Sequence, residues 1–248
     1  MGLGRNIGIF RHGLANYSQR ETTLDEARDL TLEGIEKVRI RTAEFLQYIG
    51  LSPVIIRSSP MGRTLHTSKL IRSCLQEGGV RVYPIEIDSE LTEVHGFEWN
   101  LFNPLVVGGR VDYAGRSFEI DPNKTNPSHL THSVYFMKDA CHDLDGEVLA
   151  GLPSAYIEAI ARFERFGSVK ARSGQFLRRV CEEETEATII GVTHDALICP
   201  IISAYSGGKV LSLNPGDYIH LLHQKEGLIA KRTPGLAEGA KVDILNNI

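Results

Sequence analysis

Four cysteines are few for 248 residues, and they stand apart at Cys74, Cys141, Cys181 and Cys199. No CxxC spacing links any two, so neither a disulfide framework nor a zinc ribbon is expected, and they read as reduced thiols. No apolar run approaches the length that crosses a bilayer, and no membrane partner is expected. Met1 to Phe10 lacks the apolar region and small-residue cleavage site of a signal peptide, so the expected setting is cytoplasmic. Basic runs are missing too. The chain has 27 Lys and Arg against 31 Asp and Glu, a formal net charge of -4, which gives no footprint for nucleic acid. Internal repeats and low-complexity segments are absent as well.

What is present is an ordinary globular mixture, 42% hydrophobic and 23% charged, long enough to bury a sizeable core. Asn6-Ile7-Gly8-Ile9-Phe10 is a short apolar run that ends at Arg11 and reads as a buried strand. Ile35, Val38, Phe45, Leu46 and Ile49 recur near helical spacing. They predict a helix with Thr31 as N-cap and Gly50 as stop, Gly34 being a weakness in its first turn. Pro53 to Ile56 predicts a second strand running into Arg57-Ser58-Ser59-Pro60. Met61 to Gln76 predicts a helix stopped by Gly78-Gly79, and Val80 to Ile87 a third strand. Leu101 to Gly151 shows no sustained period and reads as an irregular insertion. Ser154 to Phe166 and Ser173 to Glu184 return to helical patterning. Thr188 to Val192 predicts a strand ending at Thr193-His194-Asp195, followed by a helix over Ala196 to Tyr205. Tyr218 to His223 and Leu228 to Lys231 flank Lys225-Glu226-Gly227 and predict a hairpin.

Strands alternating with helices imply a three-layer α/β/α fold around a mostly parallel sheet. In such sheets ligands sit beyond the carboxyl ends of the strands. That rule gathers Arg11-His12, Arg57-Ser58-Ser59 and His194-Asp195 at one edge. The three clusters suit phosphoryl chemistry. Arginine offers planar two-pronged contacts to phosphate oxygens, and an unprotonated imidazole nitrogen can attack phosphorus and divide one hard displacement into two.

Arg11-His12-Gly13 after the first strand, Asp29-Leu30-Thr31-Leu32-Glu33-Gly34, Ser58-Ser59-Pro60-Met61-Gly62-Arg63-Thr64-Leu65-His66-Thr67, Leu91-Thr92-Glu93 with Glu98-Trp99, and Val192-Thr193-His194 follow one another in order. Together they resemble the motifs of the histidine phosphatase superfamily, branch 1, whose fold is shared with cofactor-dependent phosphoglycerate mutase. The resemblance spans most of the chain. It implies a single phosphoglycerate mutase-like domain over residues 1–248, with the insertion around 100–151 as a lid that selects substrate.

It further implies His12 as the nucleophile that becomes a phosphohistidine, Arg11 and Arg63 as phosphate ligands, and His194 as a further partner of the phosphate. Glu93 is implied as the proton donor to the leaving group. After Arg-His-Gly the run Leu14-Ala15-Asn16-Tyr17-Ser18 departs from the family pattern, so Ser18 or Asn16 takes the phosphate contact of the family's asparagine. Gly96-Phe97 stands in the order opposite to the usual one. Asp195 follows the late histidine where this branch has glycine. It is the second candidate for the acid and a candidate substrate contact. Arg57 is as much a candidate substrate ligand as a structural residue.

His129, His132 and His142 lie near Asp139, Asp143 and Asp145, but their spacing matches no metal signature. They read as a polar loop, and no metal or organic cofactor is implied. The expected activity is metal-independent hydrolysis of a small phosphorylated substrate, with a homodimer compatible with the sequence. Two other readings stay open: a phosphoglycerate mutase-type phosphotransferase, and a non-catalytic protein that binds a phosphorylated ligand.

Overall fold

The computed structural model describes residues 4–16, 29–93, 109–113, 115–120, 164, 166–198, 213–225, 227–233 and 238–242. Ser18, Glu98, Trp99, the histidines of the insertion, and most of the expected helices over 154–166 and 196–205 lie outside the described residues. Contacts divide the chain into two compact units, one of Met1–Glu93 with Lys170–Ile248 and one of Val94–Val169.

The first unit is built on a strand β1 (Arg5–Arg11), a helix α1 (Leu32–Ile49), β2 (Val54–Ser58), α2 (Gly62–Glu77) and a two-residue β3 (Glu86–Ile87). The second unit contributes β4 (Gly109–Tyr113) and β5 (Arg116–Ile120), and helix α3 (Phe166–Glu182) leads back into the first. There follow β6 (Thr188–Thr193), β7 (Tyr218–Gln224), β8 (Gly227–Arg232) and β9 (Lys241–Val242). The first unit's sheet has the order β3-β2-β6-β1-β7-β8-β9. Its first four strands run parallel, and β7 to β9 continue it antiparallel. The parallel half is the half that carries the site. No helix among the described residues is long and apolar enough to cross a membrane.

Continuous apolar runs in β1 and β6 mark strands covered on both faces. The faces follow from the alternation of side chains. Phe10, Ile190, Val192, Val54 and Ile56 join Val38 and Phe45 of α1 and Ile71 and Leu75 of α2 in one buried cluster. Ile9 points the other way. A Cβ on Gly191 would come within 3.2 Å of Ile9 and 3.0 Å of the Phe176 ring of α3, and one on Gly8 within 2.8 Å of the Phe45 ring. On each face a helix aromatic therefore rests on bare backbone of a central strand, and the unit has three layers.

Two expected boundaries moved. The segment 80–87 pairs with β2 only through a bridge at Val82 and through β3, because Pro84 has no N–H for the ladder between them. Helix α3 starts at Phe166, before Ser173; Gly167 and Ser168 are exposed in its first turn, where Ser168 donates to Glu164. Within the segment read as irregular, β4 and β5 form an antiparallel hairpin that turns at Gly115 with φ 75.

Candidate active site

His12 stands one residue past the end of β1, and its backbone is fixed on both sides. Its N–H donates to the Thr193 carbonyl at 2.9 Å, and its carbonyl accepts from Gly216 N at 2.9 Å. The side chain is 3% exposed. Nδ1 lies 2.7 Å from the carbonyl oxygen of Gly13. A carbonyl can only accept, so Nδ1 holds the ring proton and Nε2 presents a bare lone pair. Burial, with the neighbouring His194 and the Arg63 charge, holds the imidazole well below its ordinary pKa. Nε2 is thus unprotonated at neutral pH.

Arg63, in the first turn of α2, is the centre of the constellation. Its Nε donates to His12 Nε2 at 3.2 Å, and its Nη2 reaches His194 Nδ1 at 3.2 Å. Guanidinium nitrogens only donate, so His194 accepts through Nδ1 and carries its proton on Nε2, which faces Ser59 Oγ at 3.1 Å. His194 is fully buried. Burial, with Arg63, Arg11 and Arg172 nearby, keeps it neutral by holding its pKa well below the ordinary value. The two imidazoles lie with ring centres 5.2 Å apart. Glu93 completes the group: Arg63 Nη2 donates to its Oε2, which is also 3.4 Å from His194 Nδ1. A nucleophilic lone pair, an acceptor histidine and a carboxylate therefore share one buried guanidinium.

Arg11 takes a place beside this group. Its Nη1 donates to the Leu213 carbonyl and lies 3.7 Å from Asp195 Oδ1. That same oxygen accepts from Leu213 N at 3.0 Å. Asp195 is thus engaged with Arg11 and with the backbone of the 213 segment. Arg57 is not brought to the site. Its Nε meets Glu86 at 3.1 Å and its Nη2 meets Glu183 at 2.6 Å, so these two nitrogens tie β2 to β3 and to the end of α3. Asn16 pairs through its backbone N–H with Asp29 at 2.9 Å.

The sequence motifs contain functional residues that were not singled out. Ser59 holds His194. Thr67 accepts from Gly13 N at 3.0 Å and donates to the Arg63 carbonyl at 2.7 Å, joining the loop of the nucleophile to the helix of the arginine. Both lie in the Ser-Ser-Pro to Thr segment, and that placement was the available signal. A Cβ on Gly13 would come within 3.0 Å of the Gly34 carbonyl and of Leu30 and Val38, so its bareness lets the loop lie on α1.

Neither a family model nor a curated protein matches the sequence. Solved structures do. A phosphoglycerate mutase from Bacillus anthracis is 15% identical over 92% of this chain and 92% of its own, with a TM-score of 0.58. A mutant phosphoserine phosphatase from Entamoeba histolytica in complex with phosphoserine is 13% identical over 97% and 99%, with a TM-score of 0.53. A protein described as a putative α-ribazole-5'-phosphate phosphatase from Escherichia coli is 16% identical over 92% and 94%, with a TM-score of 0.52. At these identities the likeness is one of fold.

Proposed function

We propose that this chain, whose fold is phosphoglycerate mutase-like, is a histidine phosphatase that hydrolyses phosphomonoesters through a phosphohistidine on His12. The observation that carries the reading is the convergence on Arg63. His12 Nε2 and His194 Nδ1 each lie 3.2 Å from that guanidinium, and Glu93 is bonded to it. The guanidinium N–H donors meet both imidazoles, His12 at the nitrogen proposed for attack. A phosphate dianion satisfies those donors better than neutral imidazoles do.

In the proposed reaction the Nε2 lone pair of His12 forms the N–P bond as the bond from phosphorus to the leaving oxygen breaks. Glu93, in its carboxylic acid form, gives that oxygen its proton. Water then attacks phosphorus, the Glu93 carboxylate takes the water's proton, and the N–P bond breaks to return neutral His12. Nδ1 keeps its proton and its bond to Gly13 throughout, so charge appearing on the ring is met by a fixed carbonyl dipole. Arg63 and Arg11 stabilise the equatorial oxygens, which is where catalysis of phosphoryl transfer is concentrated.

The test is hydrolysis of an aryl phosphate. Wild type is expected to release inorganic phosphate without added metal, and His12→Ala to lose the activity and the acid-labile phosphoenzyme together. Failure on a broad phosphomonoester panel, with phosphate-ligand binding retained, would leave a binding protein. Transfer to a second substrate without release of inorganic phosphate would mark a mutase.

A further inference from the structure

We propose that Arg172 is the positioning residue that sets where the Glu93 carboxyl stands, an inference that rests on the phosphohistidine reading above. Glu93 sits in a segment with little regular structure of its own. The 3-10 turn Ser89–Leu91 precedes it, and Thr92 is extended. Such a segment needs outside partners to hold an acid at a fixed place.

Arg172 on α3 supplies them. Its Nη1 donates to the carbonyl oxygens of Glu90 at 2.8 Å and Thr92 at 2.6 Å, and its Nη2 faces that of Glu93 at 3.5 Å. One planar fork therefore spans the backbone on both sides of the acid's attachment. A lysine, with a compact charge, would not reproduce that span. Arg179 lies two turns further along the same helix face and grips the turn itself, with Nη2 2.6 Å from both Asp88 and Glu90 carboxylates. From the sheet side, Thr193 Oγ1 donates to the Leu91 carbonyl at 2.6 Å. Thr193 precedes His194, so the acid's segment is registered against the histidine by β6 and against α3 by Arg172.

The burden on Arg172 is specific to the proton transfer. Arg63, Arg11 and His12 are held by β1, α2 and the 213 segment, whereas the bonds of Arg172 given above go to the backbone of the acid's segment. Losing it should leave phosphate binding and attack in place while the carboxyl loses its aim. Misplacement by about 1 Å is expected to cost on the order of 100-fold, and in phosphoenzyme formation only for leaving groups that need a proton.

The experiment compares wild type, Arg172→Ala and Arg172→Lys, as full chains, on p-nitrophenyl phosphate and on an alkyl phosphate. For the alkyl ester kcat/KM, which reports phosphoenzyme formation, is expected to fall about 100-fold in Arg172→Ala and by a smaller factor in Arg172→Lys. For the aryl ester kcat/KM should stay within about 3-fold, because forming the phosphoenzyme from it needs no proton. In a Glu93→Gln background the Arg172 substitutions should cost nothing more on the alkyl ester, since the two act on one step. Equal losses on both esters, or losses that multiply with Glu93→Gln, would show a merely structural arginine and overturn the inference alone. If Arg172→Ala does not fold, Arg172→Lys carries the same comparison. A wild type inactive on every phosphomonoester overturns the phosphatase reading and this inference with it.

Discussion

A histidine attacks phosphorus only through a nitrogen that carries no proton, and a single carbonyl settles which one it is here. Gly13 O takes the Nδ1 proton of His12, and Arg63 waits at Nε2. The sequence places the residue but not its tautomer, because the tautomer depends on a main-chain turn. The same limit applied to the second strand-end arginine. The motif resemblance favoured Arg63 and left Arg57 open between a ligand and a structural residue, and the positions of Glu86 and Glu183 give Arg57 its carboxylate partners.

The proposed acid follows from the same kind of contact. Glu93 is bonded to Arg63 beside His194, whereas Asp195 braces Arg11 and the 213 segment. Glu93→Gln should therefore cost about 100-fold or more in kcat/KM on alkyl esters and far less on aryl ones. Asp195→Asn keeps an oxygen for Leu213 N but loses the charge beside Arg11. It should raise KM several-fold, by a similar factor for every leaving group, as phosphate grip weakens. Kinetics across a leaving-group series check both. A loss in Asp195→Asn that grows with leaving-group basicity would reassign the acid.

Elements were legible where local signals were complete. The Thr31 side chain accepts from Gly34 N at 3.0 Å as the cap of α1, worth about 1 kcal/mol; helical spacing marked α1, the Gly78-Gly79 stop bounded α2, and short apolar runs marked β1, β2 and β6. Contacts distant in sequence were not legible. Nothing near Arg172 in the chain announces that its partners lie at 90 to 93, and Pro84 hid the break in the edge strand behind an alternating pattern.

Gly34 shows how a local rule can mislead. By propensity it weakens a helix by about 1 kcal/mol relative to alanine. In the structure a Cβ there would strike the Leu14 carbonyl and come within 2.7 Å of Leu14 N. Backbone atoms cannot swing aside as a flexible side chain can, so the clash outweighs the propensity gain. Gly34→Ala should destabilise by about 1–3 kcal/mol. It should also lower kcat, because the displaced loop begins at His12. Chemical denaturation and steady-state kinetics on the same variant test this, and a more stable, fully active Gly34→Ala would disprove the close approach.

At the scale of the molecule, the chemistry and the fold both depend on histidines kept neutral. His12 and His194 are held well below their ordinary pKa by burial first and cationic neighbours second. His220, remote from them in β7, is pushed down to about 4 by burial and Lys231. Its Nε2 meets Asn6 Oδ1 at 2.8 Å, and its ring centre lies 4.7 Å from that of Tyr48 and 5.3 Å from that of Phe45.

For each of these groups the unfolded chain takes up a proton near pH 6.5 while the folded one resists it. Below that pH the unfolded state binds more protons, so stability falls as pH drops. The contribution is fully present above about pH 6.5. For His220 it declines toward pH 4 and then levels, a loss of about 3 kcal/mol across the interval. His12 and His194 add in the same direction. Denaturant midpoints between pH 7.5 and 4.5 should fall steeply in wild type. They should fall less steeply in His220→Gln, whose amide does not titrate and can still donate to Asn6. Identical slopes in the two proteins would remove His220 from this account. Activity should persist below pH 6.5, because His12 keeps its free nitrogen there. A rate already halved at pH 6.5, while the fold is intact, would mean that the nucleophile is not shielded as its burial implies.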